Sequence, residues 1–220
     1  MNHPFVIITA LENELDPKRL PPGVQVVYSG IGKINAAIAT FKAIQRYSPC
    51  EIINFGTVGR INPAVSGLLD IGKVVQRDVF AEPLAPRGEV PFSARPNAYL
   101  SDGGIFVCGS GDSFVTESDP WLIAQAIDVV DMELFAICAV AHDAGIPWRS
   151  FKYITDDADE SAGRDWHTGV QYGEKGFIGR GLRGYPPVDA AYQLIVPTLA
   201  VAAKPTVPVP HREAGMLPVI

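Results

Sequence analysis

Short runs rich in Val, Ile, Phe and Tyr, bounded by glycine, alternate along this chain with longer stretches of helical composition. Such runs read as strands buried on both faces, and intervening helices join successive strands in parallel, so the alternation specifies an α/β fold. The strand candidates are 5–9, 24–29, 51–55, 73–80, 105–108 and 151–155. Between them, 33–47 carries Ala36, Ala37, Phe41 and Ile44 at three- and four-residue spacings, which predicts a helix with one apolar stripe. Residues 133–144 are almost wholly apolar and are followed by Gly145 and Pro147, the signature of a buried helix with a defined stop. A further helix is expected from about 161 to 176. The architecture expected is a three-layer α/β/α domain over 1–185 with a central mixed, largely parallel sheet. The last stretch, 186–220, holds seven prolines and four charged residues and shows no helical or strand period, so it reads as an irregular tail.

Composition narrows the function classes. Eighteen Lys and Arg against 24 Asp and Glu give a net charge of -6 with no basic cluster, which argues against a nucleic-acid polymer or an anionic membrane surface as partner. The apolar run 5–11 is short and followed at once by Glu12 and Glu14, so it reads as a first core strand and not a leader. The run 194–203 is interrupted by Pro197 and is about half the length a bilayer needs. Cys50, Cys108 and Cys138 lie far apart in apolar segments and read as buried thiols of a reducing, cytoplasmic compartment. Residues 81–103 contain four prolines and suggest a loop or small antiparallel excursion placed over a site.

In an open parallel α/β sheet, ligands bind beyond the carboxyl ends of the strands, so the residues that follow each strand are the candidates. They include Glu12 and Glu14, the turn Gly30-Ile31-Gly32-Lys33, Gly56-Thr57-Val58-Gly59, Asp112 to Val115, and Asp156 with Asp157; Asp131, Met132 and Glu133 join them where the buried helix starts. The glycine pairs match neither a dinucleotide fingerprint, since Asn35 stands where the third glycine belongs, nor a P-loop, since Ile34 follows Lys33. The carboxylates say more. Glu133 opens an apolar helix and Asp156 ends an apolar strand; desolvation of either raises its pKa and suits it to general-acid work, while the alternatives are a dipole-favoured helix start and a simple cap. Four scattered histidines give no zinc spacing, and Ser110 lies in no nucleophile elbow.

Taken together, Ala10-Leu11-Glu12-Asn13-Glu14, Ser29-Gly30-Ile31-Gly32-Lys33, Asn54-Phe55-Gly56-Thr57-Val58-Gly59, Gly111-Asp112-Ser113-Phe114, Val130-Asp131-Met132-Glu133 and Ile154-Thr155-Asp156 resemble, in order, the motifs of the purine nucleoside phosphorylase and nucleosidase superfamily. The resemblance is nearest to its 5'-methylthioadenosine/S-adenosylhomocysteine nucleosidase branch. It implies hydrolysis of a purine nucleoside to free base and sugar, without metal or organic cofactor, by a homodimer. By the same resemblance Asp156 is the acid at N7 of the leaving purine and Glu14 the base that activates water. Glu133 binds the ribose hydroxyls over Met132, Phe114 stacks on the purine, and the backbone of Val115 reads its edge. Gly56 and Thr57 contact substrate, and Trp166 lines the pocket of the 5' substituent. Phosphorolysis is disfavoured because Arg60 is the one arginine expected at the strand ends and Glu14 would repel phosphate, whereas Lys33 and Lys152 keep it as an alternative, beside a nucleoside-binding relative without turnover. Lys152, Asp131 and Asp157 depart from the family's usual arginine, glutamate and small apolar residue.

Overall fold

The computed structural model describes residues 4–159, 162, 169, 172–183 and 185. Trp166, most of the helix expected over 161–176, and the tail 186–220 lie outside the described residues.

Among those described, eight strands form one mixed sheet: β1 (Val6–Thr9), β2 (Gln25–Tyr28), β3 (Ile52–Arg60), β4 (Leu68–Gln76), β5 (Ala98–Leu100), β6 (Phe106–Ser110), β7 (Val129–Asp131) and β8 (Trp148–Asp156). The pairings β1 with β2, β1 with β3, β3 with β8, β4 with β6 and β6 with β7 are parallel, while β3 with β7, β4 with β8 and β4 with β5 are antiparallel. The sheet is not open. Following the partners β3, β8, β4, β6 and β7 leads back to β3, so five strands close a ring, with β1 and β2 extending from one side and β5 from another. Nine-residue strands at β3, β4 and β8 are long enough to pair at one end with one neighbour and at the other end with the next.

Strand alternation builds the two larger of three apolar clusters among the described residues. Val6 and Ile8 of β1, with Ile52 and Val58 of β3, enter the cluster that also holds Ala36, Ala43 and the apolar residues Leu134 to Ala141. Phe5, Ile7, Ile53 and Phe55 join the other with Phe151, Phe177 and Leu182, where the rings of Phe55 and Phe177 stack at 4.4 Å. The first cluster is covered by α1 (Lys33–Tyr47) and α3 (Leu134–Asp143), which also pack on each other. The second is covered by the short helix Glu174–Gly176 and the π-helical turn Phe177–Gly181 that continues it. The three-layer α/β/α architecture therefore stands, with a thinner second helical layer among the described residues.

Several sequence expectations need correction. The buried face of α1 consists of Ala36, Thr40 and Ala43, small residues that admit α3 closely, and Phe41 points to solvent. Strand β4 starts at Leu68 and ends at Gln76, earlier at both ends than 73–80. Strand β7 and the short helix α2 (Pro120–Ala124) are not among the sequence expectations; at three and five residues they carry too little pattern to show a period. The antiparallel excursion in 81–103 exists as β5. Cys108 and Cys138 are buried, but Cys50 is exposed, because it falls in the connection before β3.

Candidate active site

Strand β3 ends in a register shift at Val58 and Gly59, where Gly59 lies opposite both Val130 of β7 and Asp156 of β8. A Cβ on Gly59 would sit 2.7 Å from Asp156 Oδ1 and 3.1 Å from the Cβ of Ala158, so a side chain there would displace the Asp156 carboxylate. The ends of strands running in opposite directions thereby meet at one place. There a cleft opens, lined among others by Leu11, Glu14, Thr57, Phe114, Met132, Glu133 and Asp156.

Glu14 is 3% exposed although it follows a loop, because its carboxylate replaces solvent for a ring of donors. Oε2 accepts hydrogen bonds from Thr9 Oγ1 (2.9 Å) and from the amides of Ala10 and Leu11 (3.0 Å each). Oε1 accepts from the amide (3.1 Å) and the hydroxyl (3.0 Å) of Thr57. Glu12, two residues earlier, is exposed and belongs to the solvated turn.

Asp131 and Glu133 divide the roles that the helix start offers. Asp131 Oδ2 accepts from the amide of Leu134 (3.0 Å), and Ser110, which donates to Asp131 Oδ1 (2.5 Å), accepts from the amide of Phe135 (2.9 Å). These satisfy the first turn of α3, so Glu133, at the cap position, makes no capping bond with its side chain. Its carboxyl reaches the start of the neighbouring helix α1, where Oε1 accepts from the amide of Gly32 (2.9 Å). The helix-start reading thus belongs to Asp131.

Lys152 of β8, 1% exposed, pairs with Asp131 at 2.7 Å. Burial lowers the affinity of Lys152 for its proton, but Asp131 and the neighbouring acid groups outweigh it and raise the pKa; Lys152 in turn holds Asp131 below its ordinary value against the effect of burial. Glu133 lacks such a partner. Burial first, then repulsion by Asp131, pushes it up to about 7, with Lys152 and the Gly32 amide acting the other way. Asp156, also buried, accepts from the amide of Ala158 at Oδ1 and from Thr155 Oγ1 at Oδ2, both at 3.0 Å.

Of the residues singled out from the sequence, Glu14, Thr57, Phe114, Val115, Met132, Glu133 and Asp156 line this cleft, and Phe114 is 50% exposed at its mouth. Gly56 does not line it. A Cβ there would stand 3.2 Å from Lys152 Nζ and 3.6 Å from Glu14 Oε1, so Gly56 makes room for both from behind. Residues 81–103 contribute nothing to the lining, because β5 carries that segment along the edge of β4. Arg60 is not the one arginine at the strand ends. Arg77, directly after β4, lines the cleft, and its misplacement follows from the misjudged end of that strand. Its guanidinium is bonded to the carbonyls of Gly109 (3.2 Å), Gly111 (3.0 Å) and Ser113 and to the hydroxyl of Ser113 (3.2 Å).

A family model described as the phosphorylase superfamily matches residues 22–172, and the chain belongs to that superfamily. A 5'-methylthioadenosine/S-adenosylhomocysteine nucleosidase of Actinobacillus succinogenes is 29% identical over 191 residues, covering 73% of this chain and 78% of the relative. Among solved structures, S-adenosylhomocysteine nucleosidase of Streptococcus pyogenes in complex with 5-methylthiotubericidin matches with a TM-score of 0.71 at 23% identity, over 79% of this chain and 92% of that one. Futalosine hydrolase of Helicobacter pylori matches with a TM-score of 0.69 at 21% identity, over 77% and 91%. These two structures share the α/β fold described above.

Proposed function

We propose that this chain is a nucleosidase that hydrolyses the N-glycosidic bond of a 5'-thio-substituted adenosine, of the kind named for its relatives, to free base and sugar. The reading is carried by the convergence of Glu14, Glu133 and Asp156 on one cleft. Cleavage of an N-glycosidic bond passes through an oxocarbenium-like state with charge developing on the base, and it requires an acid at the base, anions near the sugar and a held water. Asp156, presented by the Ala158 amide and the Thr155 hydroxyl, gives or shares a proton at N7 as the bond between C1' and the base breaks. Glu133 accepts hydrogen bonds from the sugar hydroxyls over Met132. Glu14 takes a proton from the attacking water, whose oxygen bonds to C1'. Phe114 stacks on the purine, and Val115 and Thr57 complete the contacts.

Hydrolysis is favoured over phosphorolysis by the occupancy of donors. The amide and hydroxyl of Thr57 and the amides of Ala10 and Leu11 would suit a phosphate, but all are taken by the carboxylate of Glu14. The cations are engaged as well: Lys152 with Asp131, Lys33 with Asp78, and Arg77 with backbone carbonyls. We assign a homodimer, supported by an apolar face of α1, unpartnered among the described residues, that exposes Ile34, Ile38 and Phe41 on successive turns. A reducing compartment such as the cytoplasm suits the unbridged cysteines.

The test is chromatographic detection of free base from a nucleoside panel that includes 5'-methylthioadenosine and inosine, with and without phosphate. Release without phosphate is expected, and Asp156→Asn should lower it by ~10²- to 10⁴-fold. Release only with phosphate, as a sugar 1-phosphate, overturns the reading.

A further inference from the structure

Lys33 does not line the cleft, and the nucleosidase reading gives it no part. It is nevertheless the point where three segments meet. Its ammonium donates to Gln76 Oε1 (3.0 Å) at the end of β4 and to Asp78 Oδ1 (2.6 Å), and lies 3.9 Å from Asp112 Oδ2. Its own amide donates to Asp112 Oδ1 (2.7 Å), and the amide of Asp112 donates to Asp78 Oδ2 (2.8 Å). The side chains of Lys33 and Asp78 are 16% and 21% exposed, so this pair is less screened than a surface one. Burial works against the charge on Asp78, yet the hydrogen bonds from Lys33 and the Asp112 amide hold its carboxyl below the usual range.

The neighbours of this cluster are the groups that touch substrate in the proposed reaction. One residue before Lys33, the Gly32 amide holds Glu133. Two residues after Asp112 stands Phe114, on a loop that Arg77 braces at Gly111 and Ser113. Resting on the nucleosidase reading, we propose that Lys33 is a positioning residue: by gripping Asp112 and Asp78 from the turn that also carries the Gly32 amide, it sets the loop 111–115 over the base and ties it to the carboxylate that holds the sugar. Base and sugar recognition are thereby coupled through one side chain outside the cleft.

Lys33→Met keeps most of the stem and removes the charge, and Asp78 retains the Asp112 amide and some contact with water. The expected result is a KM for nucleoside raised roughly tenfold with kcat within about threefold. Free adenine, which reports on the base shelf alone, should bind more weakly by a similar factor in calorimetry. Lys33→Arg should recover part of both, and Asp112→Asn should shift KM and adenine affinity in the same direction as Lys33→Met. A lysine that only supports the fold would lower the active fraction, and so kcat, at unchanged KM; that result, or adenine affinity within twofold of the parent, overturns the proposal. Absence of base release by the unaltered protein overturns instead the reading on which it rests.

Discussion

The two ends of the cleft are built by different physics. At the end assigned to the sugar, Glu14, Asp131, Glu133 and Lys152 are sunk in the core and every charge is answered by a hydrogen bond or a counter-charge. At the end assigned to the base, Phe114 stands half in solvent on a loop that owes its position to Arg77, Lys33 and Asp112. A buried charge cannot be removed without stranding its partner, whereas a half-exposed ring can be trimmed without disturbing the fold. Changes at the sugar end should therefore register in stability as well as catalysis, and changes to the half-exposed loop that carries Phe114 in substrate affinity alone.

The strongest way to break that contrast is Lys152→Met. It leaves Asp131 charged and unpaired in the core, a loss of about 3–5 kcal/mol, and a Tm lowered by roughly 10 °C or more in a thermal melt. Adding Asp131→Asn removes the stranded charge and keeps an acceptor for the Leu134 amide, so the double variant should regain much of the loss. A single variant as stable as the parent would show that the pair is not part of what holds the core.

A subtler test concerns Glu133, whose value of about 7 in the folded protein lies above its ordinary 4.5. Between those values the folded protein keeps a proton that the unfolded chain has released. This contribution to stability is full below pH 4.5 and is lost as pH rises through about 7. Glu133→Gln is neutral throughout, so its Tm relative to the parent should climb between pH 5 and pH 8, by several degrees, while nucleoside binding weakens. A Tm difference that is flat with pH would mean that Glu133 is ionised alike in both states.

How far the sequence reveals these two ends differs in the same way. The buried carboxylates announce themselves, because Glu133 and Asp156 interrupt strongly apolar segments and a carboxylate there is costly unless the fold has a use for it. Helix α1 also spans the expected Lys33–Tyr47, although its buried face is Ala36, Thr40 and Ala43 and leaves out Phe41. The ring closure is invisible, since it depends on which strand β7 pairs with, and Val129–Asp131 is three residues long. Arg77 was missed because its place depends on where β4 stops, and the grip of Lys33 on Asp78 joins residues 45 positions apart that no local period relates. Assigning the helix cap to Asp131 and not to Glu133 likewise needs the Ser110 hydroxyl, which arrives from another strand.

The smallest effect sharpens the contrast at the base end. An aromatic stack contributes about 0.5–1.5 kcal/mol beyond burial, which corresponds to a KM raised roughly three- to tenfold in Phe114→Ala. Because Phe114 is half exposed and its loop is held through Arg77 and Asp112, the ring itself supports little of the fold, and Tm should stay within about 2 °C of the parent. In the proposed reaction the chemistry is directed by Glu14, in the turn after β1, and Asp156, at the end of β8, so kcat should change little once the site is saturated. Steady-state kinetics with a thermal melt on the same preparation separate these quantities. A fall in kcat at unchanged KM would place Phe114 with the groups that act in the transition state and remove the distinction between the two ends.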